Sequence, residues 1–182
     1  TAQFIHIVRD GRDVYRSWQR VEWKEDVRDL VTAAREWTGW VWHAYRYGEP
    51  LGPSRYCQLR YEDLIQEPDE SLRRVCRFLD EPFDERMLRY YENDRLVPEH
   101  ERQGFHRMLA SPPDASRMYR WKAAMSRAEV RTFERIAGPM LVKYGYEVSP
   151  AMRILAVPRL VAQQMRQRMK DTAMGWMEGL RQ

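Results

Sequence analysis

Short apolar runs alternate along the chain with longer amphipathic stretches, and their periods predict two short strands among many helices. Gln3-Phe4-Ile5-His6-Ile7-Val8 is an apolar run with strand character. It leads straight into the charged turn Arg9-Asp10-Gly11-Arg12-Asp13, after which a helix is expected over Val14–Trp23. Val27–Tyr47 is a long amphipathic helix, with Leu30, Ala34, Trp37, Val41 and Ala44 on one side at spacings of three and four. Gly48 and Pro50-x-Gly52-Pro53 stop it. Arg55–Tyr61 reads as the second strand, and Glu62-Asp63 leave its end. Helices follow over Glu67–Leu79, with Pro68 near the start where proline is tolerated, and over Asp84–Asn93, after a turn at Pro82. Residues 94–117 read as a loop, because His100, Gly104, Pro112, Pro113 and Asp114 interrupt any period. The helix over Ser126–Tyr144 starts on a capping box, Ser126 followed three residues later by Glu129, and Gly145 is its C-cap.

Residues 151–182 form a second region after 1–150, an amphipathic helix or helix pair interrupted at Pro158. Val161, Met165, Met169, Ala173, Met177 and Leu180 make its apolar stripe, and five of the ten methionines lie there. This region holds six Lys/Arg against two acids, whereas residues 1–150 hold 25 of each. The net charge of +4 therefore belongs to the tail, and the body is not a nucleic-acid-binding surface. A basic amphipathic helix suits an anionic membrane surface or a partner protein, and it equally suits packing on its own domain.

With 182 residues and 43% apolar content, the chain can build one domain with a core. No apolar run is long enough to span a membrane as a helix, and a cytoplasmic location is expected. Cys57 and Cys76 are too few for a disulfide framework and read as buried thiols. No Cys/His set has zinc spacing, and no metal is expected.

The turn after the first strand carries the chemistry. A strand that ends in a charged turn and opens a helix offers unpaired N–H groups and the positive end of the helix dipole to an anion. Arg9 and Arg12 add guanidinium forks suited to phosphate or sulfate, and Ser17 adds a hydroxyl over the first turns. Asp13 is expected as the helix N-cap.

Arg9-Asp10-x-Arg12-Asp13 with Ser17 resembles the 3′-phosphate-binding strand–turn–helix of sulfotransferases that use 3′-phosphoadenylyl sulfate. Arg60-Tyr61-Glu62-Asp63-Leu64, with Glu67-Pro68 and the helix after it, resembles the family's tyrosine-containing strand end. Arg120-Trp121-Lys122, then Met125-Ser126 and Tyr144-Gly145-Tyr146, resembles its C-terminal cofactor loop and closing helix. The resemblance covers residues 3–146. It implies an α/β fold like that of the P-loop nucleotide-binding proteins, and sulfuryl transfer from 3′-phosphoadenylyl sulfate to an acceptor hydroxyl or amine. It assigns the 3′-phosphate to Arg9 and Ser17, the adenine to the Tyr61 hydroxyl, and closure over the nucleotide to Arg120 and Lys122, while Arg12 has no assigned ligand and is open to a role as a brace of the turn. Two departures stand out: Gly11 where the family often has proline, and Met118-Tyr119 where it often has glycine.

The family's phosphosulfate loop and catalytic base would precede the first strand, and nothing in the sequence resembles that loop. The chain thus reads as the C-terminal portion of a sulfotransferase domain, inactive alone, with the catalytic residue unknown. His6, His43, His100 and His106 do not match the base position. The alternatives are a nucleotide kinase-like enzyme and a non-catalytic nucleotide-binding or interaction module. The acceptor is not legible.

Overall fold

Both predicted strands form, and they pair in parallel. β1 (Phe4–Val8) lies beside β2 (Tyr56–Arg60), with Phe4 opposite Tyr56 and Val8 opposite Arg60. The structure is a computed structural model that describes residues 2–20, 29–93, 111–156 and 158. The described residues divide into two compact units, Thr1–Arg9 with His43–Lys122, and Asp10–Trp42 with Ala123–Gln182.

The first unit is built on the sheet. Val8, Cys57 and Leu59 are buried, so the strands' inward positions follow the two-residue period of an extended chain. The Gln3 amide donates to the carbonyl of Phe78 at 2.7 Å and ties the start of β1 to the end of a helix. β2 passes without a loop into α1 (Tyr61–Gln66), for which Arg60 is the extended N-cap and Glu62 and Asp63 supply first-turn acids. The reading of Glu62 and Asp63 as strand-end and helix-start residues agrees with it, although the sequence set the helical span only from Glu67. α2 (Pro68–Leu79) starts on proline at its first position, where the missing N–H costs nothing, and buries Ser71 and Cys76. It stops at Asp80, which takes the left-handed conformation at φ 58°. The helix expected over Asp84–Asn93 is instead 3₁₀ in character over Glu85–Glu92 and breaks at Arg89. Both cysteines are buried thiols.

The second unit is helical. Its members are α3 (Gly11–Trp18), the first turns of α4 (Leu30–Gly48) and α5 (Arg127–Lys143). Ala33, Ala34, Trp37 and Val41 of α4, Phe133, Ala137, Met140 and Leu141 of α5, and Tyr15 of α3 form the core. α3 begins at Gly11, earlier than the apolar pattern suggested, because Asp10 caps it. The Asp10 carboxylate accepts from the Arg12 backbone N–H at 2.9 Å, so Asp10 and not Asp13 is the N-cap.

Gly11 is required for close approach. A Cβ there would meet the Trp37 ring at 2.5 Å and Phe133 at 2.9 Å. Gly11→Ala is therefore expected to cost about 1–3 kcal/mol of stability, the range for overpacking a filled core. Chemical denaturation would check it, and an unchanged midpoint would mean that Trp37 yields freely.

α5 has the predicted capping box. The Glu129 N–H donates to Ser126 Oγ at 3.2 Å, and the Ser126 N–H donates to the Glu129 carboxylate at 2.7 Å. At the other end, the Tyr146 N–H reaches Leu141 O and the Gly145 N–H reaches Val142 O, a Schellman motif with Gly145 left-handed at φ 73°. The box sets a pH dependence. The hydrogen bond from the Ser126 backbone, and then that from its side chain, lower the Glu129 carboxyl from its ordinary 4.5. A lowered carboxyl stabilises the fold above the unfolded value and loses that contribution as pH falls through the folded one. Ser126→Ala should cost about 1 kcal/mol near neutral pH. Glu129→Ala removes the titrating acceptor itself, and its gap to the wild type should narrow on acidification below about 4.5. Thermal melts across that range would show it, and a gap constant with pH would count against the box.

Residues 150–156 are helical, with Met152 and Ala156 buried and Ile154 and Leu155 outward. The first turns of the region 151–182 thus belong to the second unit's core. The apolar stripe from Val161 to Leu180 and the loop residues 94–110 lie outside the described residues.

Candidate anion-binding site

The carboxyl ends of β1 and β2 place two of the expected site residues side by side. Since Val8 faces Arg60 in register, the next residues, Arg9 and Tyr61, leave the sheet together. This end of a parallel sheet is where α/β folds bind ligands. The Arg9 guanidinium lies over the Tyr61 ring, 4.6 Å from its centroid, and its Nη2 donates to the carbonyl of Arg117 at 2.9 Å. Arg9 and Tyr61 are both half-buried.

Arg117 closes the short 3₁₀ turn Ala115–Arg117, which packs against α1. Asp114 caps that turn by accepting from the Ser116 N–H at 2.9 Å. The Ser116 hydrogen bonds, and more weakly Arg120 and Arg117, hold its carboxyl below the usual range. Arg120 is folded back on the same turn, its Nε donating to Ser116 O at 2.8 Å and its Nη2 to Ser116 Oγ at 3.2 Å. Lys122 is exposed, with Nζ 5.5 Å from the Tyr119 ring and 5.7 Å from that of Trp121. Trp121 is buried and anchors this segment. Tyr119 is left-handed at φ 57°, so the backbone takes a conformation natural to glycine although the residue is tyrosine.

The first unit therefore joins Arg9, Tyr61 and the segment 114–122 through one stack and one hydrogen bond. Ser17 is exposed on α3, in the second unit.

Arg12 does something else. It is fully buried and takes Asp10 in a fork, Nε to Oδ1 at 2.9 Å and Nη2 to Oδ2 at 2.7 Å. It also reaches Glu134 at 3.2 Å and the carbonyl of Glu147 at 2.7 Å. Glu134 in turn accepts from the Ser149 hydroxyl at 2.7 Å. Of the two readings of Arg12, a fork for a bound anion or a brace of the turn, these contacts bear out the brace. The anion at this helix start is the protein's own Asp10 carboxylate, and Arg12 neutralises it. Sequence reasoning passed over Glu134, yet an acid within the buried stretch that holds Phe133, Ala137 and Leu141 is itself a sign of a buried cationic partner.

His6 Nδ1 lies 2.7 Å from the Tyr56 hydroxyl, and burial lowers its pKa below the ordinary value. His43 stacks on Tyr47. His100 and His106 lie outside the described residues.

A family model described as the sulfotransferase family matches residues 1–85, the span that holds β1, the Arg9–Ser17 turn and helix, and Tyr61. These first 85 residues are similar to the sulfotransferase family. The chain is 26% identical over 152 residues to the protein-tyrosine sulfotransferase of Drosophila melanogaster, over 80% of its own length and 30% of that protein's. It is 24% identical over 152 residues to protein-tyrosine sulfotransferase A of Caenorhabditis elegans, over 80% of its length and 39% of that protein's. Among solved structures it superimposes on the sulfotransferase domain of the Synechococcus PCC 7002 olefin synthase with a TM-score of 0.65 at 25% identity, over 82% of this chain and 51% of that one. The sulfotransferase fold, α/β and rich in helices, is thereby established. The chain spans 30% to 39% of the length of these curated relatives.

Proposed function

We propose that this chain supplies the 3′-phosphate-binding part of a sulfotransferase that moves a sulfuryl group from 3′-phosphoadenylyl sulfate to an acceptor hydroxyl or amine. The observation that carries the reading is Arg9, held at the carboxyl end of β1 against Tyr61 at the carboxyl end of β2, inside the stretch that matches the family. The donor set fits a nucleotide with a phosphate on its ribose. A half-buried guanidinium already oriented by a ring and a carbonyl is suited to a dianion, and the neighbouring segment adds Arg117, Arg120 and Lys122 against Asp114.

When bound, the nucleotide supplies the transferable sulfuryl group. The residues of this chain bind and orient. Arg9 meets the 3′-phosphate through charge-assisted hydrogen bonds. Tyr61 stands beside the nucleotide, and Lys122 lies over it from the 114–122 segment. Arg120 must leave Ser116 to join them. Their contribution is positioning and charge neutralisation, as in in-line phosphoryl transfer. Catalysis of proton removal from the acceptor is not assigned to any residue described.

Calorimetric titration of the full-length protein with adenosine 3′,5′-bisphosphate, and separately with ATP and magnesium, tests the reading. Binding of the bisphosphate is expected. Binding of ATP with magnesium, and none of the bisphosphate, would point to a kinase-like enzyme instead.

A further inference from the structure

Resting on the nucleotide reading above, we propose that Tyr61 sets selectivity for the 3′-phosphate as a positioning residue, through the face of its ring on Arg9. The strand register leaves the pair no choice of neighbour, because Val8 and Arg60 are opposed and both chains then leave the sheet. The guanidinium carbon sits 4.6 Å from the ring centroid, within the range in which the ring quadrupole attracts a cation. The attraction acts on the charge of the guanidinium as a whole and asks for no N–H···O hydrogen bond. One in-plane donor goes to the Arg117 carbonyl at 2.9 Å. The ring and the carbonyl therefore restrain the guanidinium from two directions. An arginine ordered in advance does not pay for its ordering when the phosphate arrives. This is a role for the aromatic ring, distinct from any contact between the phenolic hydroxyl and adenine.

The two roles separate cleanly in a ratio of affinities. Adenosine 3′,5′-bisphosphate and adenosine 5′-monophosphate share everything except the 3′-phosphate, so the ratio of their dissociation constants isolates what the contacts to that phosphate contribute, Arg9 among them. In the full-length protein, Tyr61→Phe should keep that ratio within about twofold, since the ring remains. Tyr61→Leu should shrink it by about 5- to 30-fold, beyond any weakening common to both nucleotides. Progressively fluorinated phenylalanines at this position keep the shape while draining the ring's negative face, and the ratio should fall stepwise along the series. That trend would not arise from a merely structural ring and does not depend on whether the leucine variant folds. Equal weakening of both nucleotides with the ratio intact, or a flat ratio across the fluorinated series, would overturn the inference and leave the nucleotide reading standing. A wild-type ratio near one would overturn both.

Discussion

Replacing Arg12 by methionine should destabilise the second unit by about 3–5 kcal/mol, the cost of removing one partner from a buried charge network. The side chains of Arg12, Asp10 and Glu134 are almost completely shielded from solvent, at 0%, 1% and 3% exposure. Without the guanidinium, two carboxylates remain in the interior with their countercharge gone. The carbonyl of Glu147 loses a donor as well. Arg12→Lys should recover only part of the loss. An ammonium keeps the charge but cannot hold both Asp10 oxygens and still reach Glu134 and Glu147. Equilibrium unfolding by urea measures all three forms. A methionine variant within 1 kcal/mol or so of the wild type would mean that the network is repacked at little cost, as some buried ion pairs are when replaced as a whole.

Arg9→Ala should have the opposite signature. The fold should be nearly intact, because Arg9 lies at the strand end and is only half-buried. Affinity for adenosine 3′,5′-bisphosphate should fall by about 1.5–3 kcal/mol, the range for hydrogen bonds to charged groups. That is about 10- to 150-fold in dissociation constant. Arg9→Lys should fall between, keeping a charge and losing the planar fork. Isothermal titration beside a thermal melt reads both quantities. Unchanged affinity with an intact fold would remove Arg9 from the site. Two arginines three residues apart in one turn are thus expected to divide cleanly, one acting on stability and the other on binding.

That division marks the boundary between what was legible in the chain and what was not. The element ends could be read, because each depends on residues within one turn of itself. Ser126 and Glu129 cap α5 in either direction, Pro68 opens α2, and Gly145 closes α5 in a left-handed conformation. The strand–turn–helix was legible for the same reason, and so was the candidacy of Arg9 and Tyr61 once the family resemblance was joined to it. Whether Arg12 meets an anion or braces the turn was not. It and Arg9 stand in the same charged turn, and nothing local distinguishes them. What distinguishes them is Glu134, 122 residues beyond Arg12, and the Arg117 carbonyl, 108 residues beyond Arg9. The same holds for Gly11. Locally it suggests a permissive turn, yet its reason is the Trp37 and Phe133 rings packed where a Cβ would stand. Capping and turn preferences are short-range and written in neighbouring residues. Burial of a charge is a question of which distant groups surround it, and the cost of desolvation makes that answer decide whether an arginine braces the fold or meets a ligand.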